Sequence, residues 1–458
     1  MFAKNLSARA VLLVALAGMS AVPAVARTQV LEDRLEWFKD QKFALFLHFG
    51  IYATAGIVES WGLSDADSNW SRFETPQLQG DDYRRFYFDL SRGFNPTRFN
   101  ADEWADEAVK GGFKYVLLTT KHHDGFCLYD SKYTRYKVTD PSCPYAKNPN
   151  ADIVKRFFDA SRARGLGISA YFSQADWHVE SYWENHGIGF KTSRHPTYDT
   201  KKNPAKWRAF RKYVRGQLLE LAENYGPLDM FWLDSGWVNP KNGQDIDIEG
   251  ILDACRVRTP GLLAVGLDSK SPYCDIDVQE VKLPPTAVTN KVWESCYKLG
   301  KYWGYHYDDT YKTPREVIHL LLEVVAKGGN LALGVGPMPD GRLPVPAVAC
   351  MRKVGTWLKA HGSSVYATRP KAPFFRDRWA FTQSRSGSRT YAIRLWDERE
   401  SAAATALLPD APALGKVTKV THVKTGKTLP VTRVSGGFEI DFKGVSPHDA
   451  CADAVVIE

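Results

Sequence analysis

The sequence contains no apolar run long enough to cross a membrane. Beyond the first 26 residues, no segment approaches the roughly 18 uninterrupted apolar residues that a spanning helix requires. The basic residues are scattered rather than clustered, although the formal charge is +8, so no nucleic-acid-binding surface is expected. Internal repeats and low-complexity tracts are also missing. These absences predict an ordinary globular protein with neither a membrane span nor a nucleic-acid partner.

Two common site motifs are missing as well. No C-x-x-C pair is present, so a cysteine-based zinc site is not expected, and no G-x-S-x-G motif supports a serine nucleophile. Cysteine itself is scarce, and its odd number leaves at least one thiol unpaired even where disulfides can form. We interpret all seven cysteines as structural: Cys127, Cys143, Cys255, Cys274, Cys296, Cys350 and Cys451.

The amino terminus has the three parts of a secretory signal peptide. Lys4 and Arg9 give a positive start, an apolar stretch follows at 10–18, and Ala-Val-Ala at 24–26 is a cleavage site. Residues 1–26 are therefore predicted to be removed, with Arg27 as the first residue of an exported protein, periplasmic or secreted. Removal of the two leader cations lowers the formal charge from +8 to +6.

Short apolar runs alternate with amphipathic stretches over residues 27–370. The runs are continuous rather than alternating, as expected for parallel strands that are buried on both faces. This pattern predicts a (β/α)8-like barrel of the TIM type. Six strands are clear and two more are placed by guess: 43–50, 115–120, 167–173, 228–234, 262–268 and 330–336, with the guesses near 275–280 and 288–294. The clearest helical patterns lie at 100–112, 151–165, 207–226 and 314–329.

The pattern changes near residue 370. Residues 371–458 alternate polar and apolar positions and are broken by Gly, Ser and Pro turns, which predicts an antiparallel β-sandwich domain. Exposed aromatic candidates are few in this segment, so we expect the domain to brace the barrel rather than to bind carbohydrate. Aromatic residues make up 13% of the whole chain, and flat rings suit the C–H faces of sugars.

Polar and aromatic side chains follow four of the predicted strands. The carboxyl ends of the strands are where a (β/α) barrel carries its active site, so these residues are expected to share one face. The candidates are His48 after the first strand, Lys121, His122, His123 and Asp124 after the second, Asp176, Trp177 and His178 after the third, and Trp232 and Asp234 at the fourth.

A metal centre is one chemistry that fits these residues. It would use the histidines with a carboxylate, but its ligands must converge on one point, whereas neighbouring side chains such as those of His122 and His123 tend to point apart. Catalysis by Ser or Cys lacks its motifs, and Cys127 has no suggestive partner. A metal centre and a Ser or Cys nucleophile are therefore both less favoured than a third chemistry, glycoside hydrolysis.

Glycoside hydrolysis by paired carboxylates is that third chemistry. Asp234 closes the buried run "MFWLD", with small Ser235 and Gly236 behind it and Trp232 as an aromatic wall. An aspartate here could instead cap the next helix. Histidines around such a carboxylate can hydrogen-bond sugar hydroxyls while neutral, without a metal.

Seven longer motifs stand out: "KFALFLHFGIYA" at 42–53, "KHHDGFCLYDS" at 121–131, "YFSQADWH" at 171–178, "MFWLDSGW" at 230–237, "KVWESCYKLGKYWGY" at 291–305, "VAKGGNLALGVGPMPDG" at 325–341 and "GTWLKAHGSSVYAT" at 355–368. Together, over about residues 35–370, they resemble the α-L-fucosidases of glycoside hydrolase family 29.

The resemblance implies hydrolysis of terminal α-L-fucose from oligosaccharides or glycoconjugates, with retention of configuration and with neither cofactor nor metal. Asp234 matches the nucleophile position of the family. The substrate-binding candidates that the resemblance implies are His48, His122, His123, His178, Trp232, Trp61 and Glu294. An alternative is a catalytically impaired fucose-binding protein.

The acid/base catalyst lies in a more variable segment of the family. "CDIDVQEVKLPP" at 274–285 places Glu280 on the family glutamate, while Asp275, Asp277 and Glu294 remain alternatives. The chain also has Ser60 between a glutamate and a tryptophan that are often adjacent in the family, and it lacks an arginine near the fifth strand. These departures leave linkage preference open.

Overall fold

A computed structural model describes residues 24–398, 405–445 and 450–458. The predicted signal peptide lies almost entirely outside these residues and stays a prediction. No helix in the described ranges is both long and apolar enough to cross a membrane. The helices are α1 Ala24–Gln41, α2 Ser68–Ser71, α3 Gly80–Asp89, α4 Ala101–Lys110, α5 Ile153–Ala163, α6 Pro204–Asn224, α7 Ile248–Arg258, α8 Pro314–Ala326 and α9 Val345–His361.

Eight parallel strands form the barrel, as the alternating pattern predicted. They are β1 Phe43–Leu47, β2 Tyr115–Lys121, β3 Gly167–Ser173, β4 Met230–Asp234, β5 Leu263–Val265, β6 Asp277–Glu280, β7 Trp293–Lys298 and β8 Asn330–Val335. The sheet runs in the order β5-β4-β3-β2-β1-β8-β7-β6. A single parallel bridge between Val265 and Ile276 joins its two edges and nearly closes the barrel.

The continuous apolar runs arise because the strands that carry them are covered on both faces, as in β1, β2, β3 and β8. In β1, Phe43, Leu45 and Leu47 pack in the large core under the surrounding helices. The alternate residues Ala44 and Phe46 instead pack in the barrel interior, together with residues of the other strands. Successive side chains of a strand point to opposite faces, so a strand buried on both sides loses the polar alternation of a half-exposed one.

One of the two guessed strands is displaced. The guess near 275–280 agrees with β6, but the guess near 288–294 overlaps the strand β7 only at its start. Strand β7 has the sequence "WESCYK", in which Glu294 and Ser295 are nonetheless buried. Because these polar residues interrupt the apolar run, the hydrophobic pattern of the sequence does not indicate the strand.

The carboxyl-terminal strands form two antiparallel sheets, so the predicted fold class is confirmed. They are β9 Thr368–Arg376, β10 Trp379–Ser384, β11 Thr390–Leu395, β12 Thr405–Pro409, β13 Val420–His422, β14 Thr428–Leu429, β15 Val431–Val434, β16 Gly437–Asp441 and β17 Ala452–Ile457. Six of them pair in the order β14-β13-β17-β11-β10-β9, and β12-β16-β15 form the second sheet. The first strand begins at Thr368, close to the boundary predicted at 371.

The six-stranded sheet also packs against the barrel. Ala380, Ile393 and Ala454 belong to the same apolar core as the helices α8 and α9. The Trp357 indole of α9 donates a hydrogen bond to the Ala452 carbonyl at 2.7 Å. These contacts agree with the bracing role expected for this part of the chain.

Candidate active site

The candidate site lies at the carboxyl ends of the barrel strands. His48 follows β1, His122 and His123 follow β2, Asp234 ends β4 and Glu280 ends β6. Parallel strands of a barrel all present their carboxyl ends at one face, so these groups converge although they are far apart in the sequence. The structure therefore places five of the predicted residues around one mouth.

Asp234 is held by two hydrogen bonds and remains partly open to solvent. The Tyr171 hydroxyl donates to Oδ2 at 2.5 Å, and the Ser235 amide donates to Oδ1 at 2.5 Å. The side chain keeps 31% of its surface exposed. Ser235 has φ of 74°, a left-handed conformation that costs free energy outside glycine and is typical of functional sites. The chain therefore bends away from the direction of β4 immediately after Asp234.

His123 is the histidine nearest to that carboxylate. Its Nδ1 is hydrogen-bonded to the Ser173 hydroxyl and lies 3.2 Å from the Ser235 hydroxyl. Its Nε2 lies 3.7 Å from Asp234 Oδ2 and has no hydrogen-bond partner among the described residues. The serines thus fix the ring and leave Nε2 available to a ligand beside the carboxylate.

His122 and His48 complete a group of buried imidazoles. His122 Nδ1 is hydrogen-bonded to the Ser60 hydroxyl at 2.6 Å, while His48 Nδ1 has no partner in the described part of the chain. Burial lowers the pKa of His48, His122 and His123 well below its usual value, because a buried site disfavours the charged form. The three rings are therefore neutral near pH 7 and can donate or accept hydrogen bonds with hydroxyl groups.

Aromatic rings wall the space around these histidines. Trp303 stacks on His48 with ring centroids 4.9 Å apart, and Trp232 stacks on Tyr171 at 5.5 Å. Trp61 meets His123 edge to face at 4.8 Å. Rings of this kind cover the apolar face of a sugar while polar groups bind its hydroxyls.

Glu280 lies at the end of β6 with its side chain partly exposed and partly surrounded by protein. The pKa of its carboxyl is raised, chiefly through desolvation by the surrounding residues and secondly by the Asp234 carboxylate. Lys298 and a hydrogen bond to Trp303 act in the opposite direction. A carboxyl whose pKa is raised beside a second carboxylate has the property required of a general acid.

A second glutamate lies near this carboxyl but is enclosed. Glu59 is buried, and its Oε1 accepts the Gly304 amide at 2.5 Å. Burial raises its pKa, and the amide hydrogen bond is the first of the effects that oppose the rise. Its charge also acts on Glu280.

Glu294 lies at the other end of the barrel. It stands near the start of β7, where Oε1 accepts the Trp232 indole at 3.0 Å and the other oxygen accepts the Tyr115 hydroxyl. Burial raises its pKa to about 7. Its side chain contacts the Trp232 indole from the amino-terminal end of the barrel. This placement fits neither the role of an acid/base catalyst nor a direct contact with substrate.

His178 is not part of the pocket, contrary to its prediction as a substrate ligand. Its ring stacks on Tyr136 at 3.9 Å and on His186 at 4.4 Å. The Asp176 carboxylate accepts the amides of His178 and Val179, and this turn carries the histidine away from the strand end. Its place in the sequence beyond the third strand was therefore misleading.

The remaining charged residues of "KHHD" have structural partners. Lys121 is fully buried and pairs with Asp176 at 3.1 Å, while Asp124 accepts the Tyr87 hydroxyl at 2.8 Å. The chain leaves the extended conformation after Lys121, so the adjacent His122 and His123 both face the pocket, with rings 4.4 Å apart, instead of pointing apart as expected.

Arg194 is a charged residue near the pocket that no sequence motif indicated. Its guanidinium lies 4.6 Å from the Trp61 ring and pairs with Asp67 at 2.6 Å. Its charge helps to lower the pKa of His123. Only the long loop after β3 brings it there, so no strand-end pattern could have indicated it.

A metal ion is sterically possible at the same place. His122, His123 and Asp234 each offer one ligand atom, and these atoms lie within 4.8 Å of one another. The same three groups are equally suited to bind hydroxyls, since His122 and His123 each have one nitrogen committed to a serine.

Comparisons with known proteins identify similar sequences and structures. The family model described as Alpha-L-fucosidase matches residues 21–363. Human tissue alpha-L-fucosidase is 27% identical over 402 residues, which cover 84% of this chain and 80% of the relative. Rat plasma alpha-L-fucosidase is 28% identical over 348 residues, with 72% and 70% covered.

Solved structures show the same likeness. Alpha-L-fucosidase isoenzyme 1 from Paenibacillus thiaminolyticus has a TM-score of 0.76 at 28% identity and covers 93% of this chain and 99% of its own. A family 29 alpha-L-fucosidase from Bacteroides thetaiotaomicron has a TM-score of 0.75 at 25% identity, with 93% and 96% covered. It is described as a trapped covalent intermediate with 2-fluoro-fucosyl fluoride in a glutamate-to-glutamine mutant.

Proposed function

Because the chain belongs to the alpha-L-fucosidase family, we propose that Asp234 and Glu280 carry out its reaction, the hydrolysis of terminal α-L-fucosides with retention of configuration. The observation that carries the assignment is the position of Asp234, a partly exposed carboxylate held by Tyr171 and Ser235 at the barrel mouth. The substrate class is a fucosylated oligosaccharide or glycoconjugate.

In the first step, Asp234 attacks the anomeric carbon of fucose. The bond from that carbon to the glycosidic oxygen breaks, and Glu280 gives its proton to the departing oxygen. The product is a β-fucosyl ester on the Asp234 carboxylate. The raised pKa of Glu280 keeps more of this carboxyl protonated than an ordinary glutamate would be.

In the second step, Glu280 acts as a base. Its carboxylate takes a proton from water, the water oxygen attacks the anomeric carbon, and the ester bond to Asp234 breaks. Two inversions release α-fucose and restore both carboxyl groups to their starting states. An NMR time course of the released sugar is expected to show the α anomer first.

The neutral histidines bind the sugar hydroxyls in this proposal. His48 Nδ1 and His123 Nε2 are buried nitrogens without partners in the described ranges, and leaving such groups unsatisfied costs free energy. Substrate hydroxyls would satisfy them. Trp303 stacks on His48, and Trp232 stacks on Tyr171, so both indoles border the same space.

Tyr171→Phe tests how the nucleophile is held. The substitution removes the hydroxyl that donates to Asp234 Oδ2. A hydrogen bond to a charged group contributes about 1.5–3 kcal/mol, so kcat/KM is expected to fall by on the order of 10- to 100-fold. Steady-state kinetics on 4-nitrophenyl α-L-fucoside measures the loss.

The matched control for this substitution is Tyr225→Phe. Tyr225 also donates to an aspartate, Asp152 at 2.6 Å, which is not one of the pocket residues. Its loss is expected to leave kcat/KM within about twofold of the wild type. Equal losses in both variants would mean that the effect comes from general stability, and the role given to Tyr171 would be wrong.

Metal removal tests the proposed absence of metal chemistry. After EDTA treatment and dialysis, kcat is expected to stay within about 20% of the untreated value, because the two carboxyl groups account for every proton and bond in the reaction. The assay is run well below the unfolding temperature. A loss of activity that added Zn²⁺ restores, with the fold intact by circular dichroism, would favour a metal at His122, His123 and Asp234 instead.

A further inference from the structure

Three chelating side chains meet at the junction between the barrel and the carboxyl-terminal sheets. His361 is the last residue of α9, His422 the last of β13, and Asp453 lies in β17. All three are fully buried, and each offers one ligand atom within 4.8 Å of the others. The fucosidase mechanism uses none of them.

His361 is the residue of this cluster whose hydrogen-bonding atoms are unsatisfied among the described residues. Both of its ring nitrogens are buried and have no hydrogen-bond partner among the described residues. Its ring is stacked on Trp357 at 5.0 Å, which fixes its plane. A buried polar group without a partner costs about 1–3 kcal/mol, so native proteins rarely retain one without a ligand or a water to satisfy it.

The other two residues carry the outer hydrogen bonds that metal ligands typically have. His422 Nδ1 is bonded to the Thr425 hydroxyl at 3.0 Å, and Asp453 Oδ2 accepts the Trp396 indole at 2.8 Å. Such partners orient ligating histidines and carboxylates. His422 Nε2 and Asp453 Oδ1 are hydrogen-bonded to each other at 3.0 Å, so both atoms face the cluster and would exchange this hydrogen bond for bonds to an ion.

We propose that His361, His422 and Asp453 bind one divalent transition-metal ion, best suited to Zn²⁺, which links the barrel to the carboxyl-terminal sheets. Two imidazoles and one carboxylate are a donor set that Zn²⁺ accepts, with a water molecule as the fourth ligand. A Zn–N distance of about 2.0 Å and tetrahedral angles place two ligating rings about 5 Å apart. The ring centroids of His361 and His422 are 5.7 Å apart.

The ion would act on stability rather than on chemistry. It joins α9 of the barrel to β13 and β17 of the six-stranded sheet, elements that otherwise meet through apolar contacts and a few hydrogen bonds. A ligand that binds only the folded state raises the unfolding temperature according to its concentration and affinity. Zn²⁺ is therefore expected to raise Tm by at least about 3 °C over the EDTA-treated protein.

Metal content of the untagged chain tests the proposal. The protein is stripped with EDTA, incubated with Zn²⁺, desalted and measured by plasma mass spectrometry. About one ion per chain is expected for the wild type, and less than about one tenth for His361→Gln. Co²⁺ in place of Zn²⁺ is expected to give visible d–d absorption in the wild type, which needs no variant to fold.

His319→Gln is the matched control. His319 lies in the same interface, where its Nε2 is hydrogen-bonded to the Cys451 carbonyl at 2.8 Å, but it is not part of the cluster. This variant is expected to keep its metal. Loss of metal in both variants would indicate that either substitution destabilises the whole interface, and the assignment of His361 as a ligand would be wrong.

Asp234→Asn separates this site from the catalytic pocket, whose histidines and carboxylate could also hold an ion. It is expected to retain the metal of the wild type. Metal that is lost in Asp234→Asn and kept in His361→Gln would place the ion in the pocket and overturn the proposal. A wild type that binds no ion would also overturn it and would leave a buried water as the partner of His361.

Discussion

Asp234→Gly is expected to lower kcat for 4-nitrophenyl α-L-fucoside by at least about 10³-fold. The substitution removes the group that forms the covalent intermediate, and removal of a nucleophile is among the largest single effects in enzyme kinetics. Binding need not be lost, because His48 Nδ1 and His123 Nε2, which have no hydrogen-bond partner among the described residues, remain in place.

Sodium azide should restore part of the activity of Asp234→Gly. The small anion can enter the space left by the carboxylate and attack the anomeric carbon from the same face, so the product is β-fucosyl azide. Asp268→Asn is the control, since Asp268 follows β5 and pairs with Lys241 at the surface. Activity of Asp234→Gly within tenfold of the wild type would contradict the assignment.

Glu280→Ala is expected to separate substrates by their leaving groups. General acid catalysis contributes about 10²- to 10⁴-fold, and a natural sugar leaving group needs the proton, whereas a nitrophenolate leaves without it. Cleavage of a fucosylated oligosaccharide should therefore fall by that factor, while formation of the ester from an activated aryl fucoside falls much less. Azide then intercepts the ester and gives α-fucosyl azide.

The pH profile gives the same variant a second readout. Glu280 must be protonated in the first step, and its pKa is raised from the usual value of a glutamate. In the wild type, kcat/KM should fall as pH rises through that pKa, because the proton is then lost. In Glu280→Ala, this high-pH decline should disappear.

Two control variants address two of the three other acid/base candidates. Asp277→Asn removes a carboxylate that pairs with Lys291 at 3.1 Å, and Glu294→Gln alters the buried group below Trp232. Both are expected to keep the high-pH decline. Its disappearance in either variant, with Glu280→Ala retaining it, would move the acid/base role away from Glu280.

The strands of the barrel could be predicted from sequence where burial on both faces produces a continuous apolar run. β1, β2, β3 and β8 are buried at every position and read as continuous apolar runs. β7 could not be placed because Glu294 and Ser295 are buried through hydrogen bonds rather than through apolar character. Hydrogen-bond partners from distant strands do not show in a local pattern.

The site was predictable to the extent that it follows strand ends. His48, His122, His123, Asp234 and Glu280 lie where strands leave the barrel. The role of Tyr171 could not be predicted from its own motif, because it depends on the neighbouring strand. Tyr171 pairs in register with Trp232, and its hydroxyl donates to Asp234, two residues further along that strand.

The positions of His178 and Arg194 relative to the pocket could not be predicted from strand ends. Both belong to the long connection after β3, whose path is set by contacts such as those of Asp176 and Asp67. The backbone turn at Asp176 takes His178 out of the pocket, while the salt bridge to Asp67 brings Arg194 to its edge. Loop geometry of this kind depends on tertiary contacts rather than on spacing in the sequence.

The most direct test is to identify the amino acid that carries the sugar in the covalent intermediate. The protein is incubated with 2-deoxy-2-fluoro-fucosyl fluoride, which forms the ester faster than it is hydrolysed, then digested and analysed by tandem mass spectrometry. We expect one fluorofucosyl group per chain, on Asp234 within "MFWLDSGW". A label on any other residue, or an inactivated enzyme without a label, would contradict the account.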